Sequence, residues 1–341
     1  MASTTKEVAT EILPFIRVYK DGSVDRLVES PIVPPSPHDP ETGVSSKDIS
    51  ISLNPPISAR LFLPPNHHHH KLPILVYFHG GGFCFESAFS ADHYRFLNSL
   101  VSQTKVLAVS VEYRLAPENP LPIAYEDCWF ALRWVASHHD HDQNMIREPW
   151  LTDDGDFERV FLGGDSAGAN IVHNIAMRAG KEPLKSGVTI SKAFLTHPYF
   201  WGSDDQQSSS DHRPNCADNN HDHDQDHHRR LGKSMPHLMW EFVYPSAPGG
   251  VDNQMINPVG PEAPSLAGLG CRRMLVSVAE KDVLRERGRS YYEAVRRSGW
   301  SGEVQLVDVE GEDHAFQILC AESENAKMLI RRLADFLMIN S

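Results

Sequence analysis

Residues 159–180 read RVFLGGDSAGANIVHNIAMRAG. The run starts with four residues of which three are apolar, and passes through Gly163, Gly164, Asp165, Ser166, Ala167 and Gly168. It continues with apolar residues at helical spacing up to Gly180. The pattern predicts a buried strand, a turn too tight for large neighbours, and a helix. A serine on such a turn is either part of an ordinary helix start or a nucleophile held out above a sheet. The flanking sequence has to separate the two.

The same rhythm extends in both directions. From about residue 58, strand-like runs occur at 72–80 (LPILVYFHG), 105–114 (KVLAVSVEYR), 192–200 (KAFLTHPYF), 272–282 (RRMLVSVAEKD) and 303–311 (EVQLVDVEG). Helical patterns fall at 121–139, with Pro122 early, and at 285–299 and 321–337. Apolar strands alternating with helices imply parallel pairing through crossovers, so the expected class is α/β with a mostly parallel sheet. Ligands of such sheets bind at the carboxyl ends of the strands, where Ser166 falls.

Two stretches break this rhythm. Residues 1–57 are Pro-rich and are expected to form an N-terminal cap segment over a catalytic core of 58–341. Residues 203–228 are almost free of apolar side chains and are expected to be a mobile surface loop, because such a sequence buries too little to offset its ordering entropy. The reading is therefore one domain over 1–341.

Composition narrows the function classes. The 341-residue chain carries a net charge of −13, which argues against a nucleic-acid or anionic-membrane binder. Cys84, Cys128, Cys216, Cys271 and Cys320 are scattered, without a disulfide framework or zinc-knuckle spacing, and no signal-peptide core or membrane-length apolar run is present. A cytoplasmic protein acting on a small molecule is expected. The histidine runs at 67–70, 138–141 and 221–228 lie in polar connections without fixed geometry, so neither a dedicated metal site nor a cofactor is expected.

Four elements form a chemical constellation. Gly164-Asp165-Ser166-Ala167-Gly168 fits Gly-x-Ser-x-Gly between strand and helix, the nucleophile elbow, with the helix N-terminus aimed at developing negative charge. FHGGGF at 78–83 places three glycines at a strand end, so that the N–H groups of Gly81 and Gly82, with that of Ala167, can hold an oxyanion. His79 braces that loop in this reading. Downstream, in the order acid then base, come Asp282 just past a strand and His314 in a turn. Glu280 and Asp313 are rival acids, and His173 and His197 rival bases.

These motifs, with VEYRLAPENPLPIAYEDCWFALRWV (111–135), MWEFVYPSAPGG (239–250), NQMINP (253–258), AEKDVLRERG (279–288) and the N-terminal ILPFIRVYKDGSVDRL (12–27), resemble the plant carboxylesterases of the hormone-sensitive-lipase group. The resemblance covers most of the chain. It implies an α/β-hydrolase fold with a helical N-terminal or inserted cap. It also implies ester hydrolysis through Ser166, Asp282 and His314, with Gly81, Gly82 and Ala167 as oxyanion hole. The same group includes gibberellin receptors, which resemble esterases with the final histidine replaced by an aliphatic residue; here His314 is present. It also includes 2-hydroxyisoflavanone dehydratases, several of which depart at the nucleophile; here GDSAG is intact. The insert at 203–228 looks longer than the group's usual loop.

Overall fold

The computed structural model describes residues 6–28, 30–66, 70–139, 147–203 and 233–339. The loop expectation at 203–228 lies outside these residues apart from Ser203. Two of the histidine runs, 67–70 and 138–141, are described in part, and the third is not.

The apolar runs become the strands of one eight-stranded sheet. In chain order the elements are β1 (Val8–Ile12), β2 (Ile16–Tyr19), β3 (Val24–Arg26), β4 (Ser45–Leu53), β5 (Pro56–Leu63) and β6 (Leu72–Phe78). Helix α1 (Ala91–Thr104), β7 (Leu107–Glu112), α2 (Ile123–Ser137), β8 (Gly155–Asp165) and α3 (Ala167–Ala179) follow. Then come β9 (Ile190–Thr196), α4 (Met235–Val243), β10 (Cys271–Ala279), α5 (Arg285–Arg297), β11 (Glu303–Val309) and α6 (Glu324–Met338).

The sheet order is β11-β10-β9-β8-β6-β7-β5-β4. From β11 to β7 every pairing is parallel, and the β5–β7 and β4–β5 pairings are antiparallel. The central strands are continuous apolar runs because both faces are covered: every residue of β6 and of β9 is buried. Two apolar clusters, one on Ile74, Val76, Leu162 and Leu195 and the other on Leu75, Tyr77, Phe161 and Phe194, record the two faces of alternating side chains.

Two expectations change here. The division at residue 57 cuts through the β4–β5 hairpin, whose strands belong to the main sheet, so the core begins near Ser45. The sequence masked this because β4 exposes alternate polar residues at the sheet edge and reads as loop. The cap was expected to be helical and either N-terminal or inserted; of the N-terminal segment, the described part is a separate three-stranded antiparallel sheet, β1-β2-β3. Pro14 and the Asp21-Gly22 turn cut this segment into pieces too short for a helix. Cys320 is disulfide-bonded, whereas Cys84, Cys128 and Cys271 are buried free thiols. No helix among the described residues is long and apolar enough to cross a membrane.

Candidate active site

β8 runs into α3 with a single residue between them. Ser166 takes φ +50° and ψ −114°, a conformation that side-chain-bearing residues rarely adopt. It persists because both its backbone groups are used: its N–H donates to Thr196 O at 2.9 Å, and its carbonyl accepts from Tyr199 N at 3.0 Å. Small neighbours are a steric requirement. A Cβ on Gly168 would lie 1.9 Å from Phe78 O, so α3 starts in backbone contact with the end of β6.

Three side chains from three strand ends converge on this turn. Ser166 Oγ lies 2.9 Å from His314 Nε2, and His314 Nδ1 lies 2.8 Å from Asp282 Oδ2. His314 sits in the turn after β11 and Asp282 just past β10. Asp282 is buried and its Oδ1 accepts from Leu284 N at 2.9 Å, whereas Ser166 and His314 are half-buried. Burial alone would raise the Asp282 carboxyl, but the charge and hydrogen bond of His314, with the imidazole of His197 close by, hold it well below the usual carboxylate range. Burial pulls His314 down, and the charge and hydrogen bond of Asp282 outweigh it, with Asp165 and Asp313 adding, so its pKa is raised. The arrangement can draw a proton from Ser166 onto Nε2 and stabilise the resulting imidazolium.

The glycine loop lies alongside. Gly81 and Gly82 have φ of +95° and +56°, and a Cβ on Gly81 would meet Phe85 O at 2.1 Å. Among the described residues, no hydrogen bond takes the N–H of Gly81, Gly82 or Ala167 as donor. His79 does brace the loop: its Nδ1 lies 2.8 Å from Gly80 O and its ring stacks on Tyr113 at 4.2 Å, while Tyr113 OH donates to His79 O at 2.7 Å.

The rival residues go elsewhere. Glu280 accepts from Gly311 N, Asp313 accepts from the backbone N–H of His314, and His173 pairs with Tyr291 OH at 2.9 Å inside the core. Burial pushes His173 down to about 3. His197 is the exception, with Nδ1 3.4 Å from Asp282 Oδ2. Among the described residues, His197, Asp282 and His314 form the one grouping whose ligand atoms are close enough to hold a metal ion.

A second buried network went unread in the sequence. His93 of α1 lies between Asp165 Oδ1 at 3.3 Å and Glu86 Oε2 at 3.6 Å. Tyr77 OH donates to the same Asp165 oxygen, and Ser30 N donates to Glu86 at 2.9 Å. Burial would lower His93, but Asp165 and Glu86 push it up to about 10. The sequence offers no signal for this pairing, since His93 and Asp165 are far apart in the chain and nothing in the elbow motif around Asp165 points to His93.

The fold and this turn define a class. Residues 75–318 match the family described by the alpha/beta hydrolase fold, and the chain belongs to it. It is 54% identical to the 2-hydroxyisoflavanone dehydratase of Glycyrrhiza echinata, over 98% of both chains. It is 41% identical to the probable carboxylesterase 2 of Arabidopsis thaliana, over 99% of this chain and 98% of that one. A hyperthermophilic esterase from the archaeon Pyrobaculum calidifontis superposes with a TM-score of 0.64 at 27% identity, covering 86% of this chain and 85% of that one.

Proposed function

We propose that this chain is a serine carboxylesterase. The observation that carries the reading is the unbroken series of hydrogen bonds Ser166–His314–Asp282 at 2.9 and 2.8 Å, ending on a strained residue at a helix N-terminus. Ser166 Oγ attacks the ester carbonyl as His314 Nε2 takes its proton. The N–H groups of Gly81, Gly82 and Ala167 receive the oxyanion, and Asp282 stabilises the imidazolium. His314 then protonates the departing alcohol. Water, deprotonated by the same imidazole, releases the acid from the acyl-enzyme. The substrate class is a small-molecule carboxylic ester.

A second reading is favoured by one observation, the 54% identity to a 2-hydroxyisoflavanone dehydratase. In that reading the site around Ser166 would eliminate water from a 2-hydroxyisoflavanone-type substrate.

The test is fluorophosphonate labelling read by mass spectrometry, followed by an ester panel and 2-hydroxyisoflavanone on one preparation. The esterase reading expects a covalent adduct on Ser166 and acid and alcohol released in equal amounts. Ser166→Ala should lower kcat by about a thousandfold or more while the protein stays folded. Undiminished hydrolysis by that variant ends the assignment. Turnover of the isoflavanone with no ester hydrolysed moves it to the second reading.

A further inference from the structure

β9 ends at Thr196, and His197 turns the chain at φ +50°. Its N–H donates to Ser277 O of β10 at 2.8 Å, which fixes the residue at the carboxyl edge of the sheet. The ring is fully buried, edge-on to His314 at 5.7 Å and to Phe316 at 5.4 Å. Its Nδ1 faces Asp282 Oδ2 at 3.4 Å, the same oxygen that receives His314 Nδ1 at 2.8 Å. Neither nitrogen of this imidazole has a well-formed hydrogen bond among the described residues. A buried ring N–H left without an acceptor is costly, and Asp282 is an acceptor within reach. Hydrogen bonds of reactive groups are often long in an unliganded site and shorten when substrate arrives.

We infer that His197 is a positioning residue for this chemistry, a second imidazole whose Nδ1–H donates to Asp282 Oδ2 and sets how strongly that carboxylate holds His314. The inference rests on the reading of Ser166, His314 and Asp282 as the reactive series. Oδ1 is held by Leu284 N–H, so a donor from His197 would leave the carboxylate no rotation that keeps its bonds. A second donor on Oδ2 also spreads the anion's charge, which weakens its pull on the imidazolium of His314. The proton taken from Ser166 stays on His314, because the polar approach of His197 to this series is to Asp282 Oδ2. The ionisable groups around His314 are Asp282 after β10, Asp165 at the end of β8, Asp313 on its own turn, and His197 after β9.

Removing the donor should therefore raise the His314 pKa. In His197→Phe the acid limb of kcat/KM should move upward by about half a unit or more, with a lower kcat. His197→Gln, whose amide can still donate, should keep the limb near its original position. A limb unmoved in His197→Phe, or moved equally in both variants, overturns the inference. The intact protein gives a measurement that does not depend on either variant folding well. Nitrogen-15 NMR of histidine-labelled protein should show His197 with its proton on Nδ1, and a proton on Nε2 overturns the inference. Failure of Ser166 to label would sink the esterase reading while leaving the tautomer result standing, so the two are separable.

Discussion

His314 is the residue on which the proposed chemistry turns, and its surroundings predict a pH profile. A free histidine titrates near about 6.5. Burial opposes protonation here, but Asp282, Asp165 and Asp313 raise the pKa above that value. The neutral ring is the base, so activity should be absent at low pH and rise through a midpoint above about 6.5. A midpoint of kcat/KM below that value would contradict the geometry. Asp282→Asn should lower kcat by about ten-thousandfold, through the wrong tautomer of His314, and should move the midpoint down because the anion is gone. An Asn variant with the midpoint unchanged would show that Asp282 does not act on His314. That Ser166, Asp282 and His314 lie together could be expected from the chain, because each follows a strand and parallel strands bring such ends to one edge of the sheet. The nearness of His197 to Asp282 could not be read, since it depends on β9 lying between β8 and β10.

The elements that hold the turn in place are β6, α1 and β8, and they meet at a charge cluster. Glu86, His93 and Asp165 form a row in which His93 and Asp165 are buried and Glu86 half-buried, with Gly80 packed so closely that a Cβ there would lie 2.2 Å from Asp165 Oδ2. His93 is pushed up to about 10, so it carries a charge at neutral pH and compensates Asp165 beside the nucleophile. A group whose pKa is raised on folding stabilises fully below its unfolded value and loses that contribution as pH climbs through the folded one. The window here runs from about 6.5 to about 10, and the melting temperature should fall steadily across it. His93→Gln leaves the buried carboxylate of Asp165 uncompensated, with the half-buried Glu86 beside it, and should cost about 3–5 kcal/mol at neutral pH. Its melting temperature should then depend far less on alkaline pH, and parallel curves for variant and parent would refute the role of the charge. Strands β6 and β8 were legible to within a few residues, because hydrophobic period survives in a single sequence, whereas helix α1 was not read. The pairing of His93 with Asp165 was not legible, because His93 lies on a buried polar edge of helix α1 that period alone assigns to solvent, and Asp165 ends β8 far away in the chain.

At the scale of the whole chain, the N-terminal region divides into two parts with different duties. Residues 45–63 build β4 and β5, and β5 pairs with β7 through Ser58 to Phe62. Ile57, Ala59, Leu61 and Phe62 are fully buried or nearly so, which places this hairpin in the core. Residues 6–28 instead form the separate small sheet, tied to the glycine loop from outside. Arg26 donates to Cys84 O at 2.8 Å and pairs with Glu118, and Phe15 stacks on Phe85 at 5.3 Å. The sequence placed all of 1–57 in one cap because Pro and polar residues dominate both parts, and edge strands carry only a weak alternating signal. Two truncations separate the duties. Removing residues 1–28 should leave a cooperative fold with a lower melting temperature, since the eight-stranded sheet is untouched. It should lower kcat/KM by about tenfold or more, because the loop that presents Gly81 and Gly82 loses its outer support and a small misplacement of such groups is costly. Removing residues 1–57 deletes β4 and exposes β5 as a long apolar edge, which should give insoluble protein. Circular dichroism, melting curves and ester turnover on both forms decide the matter. A soluble, cooperatively melting protein lacking 1–57 would show that β4 is dispensable. Full activity without residues 1–28 would show that the small sheet does not hold the glycine loop in its working position.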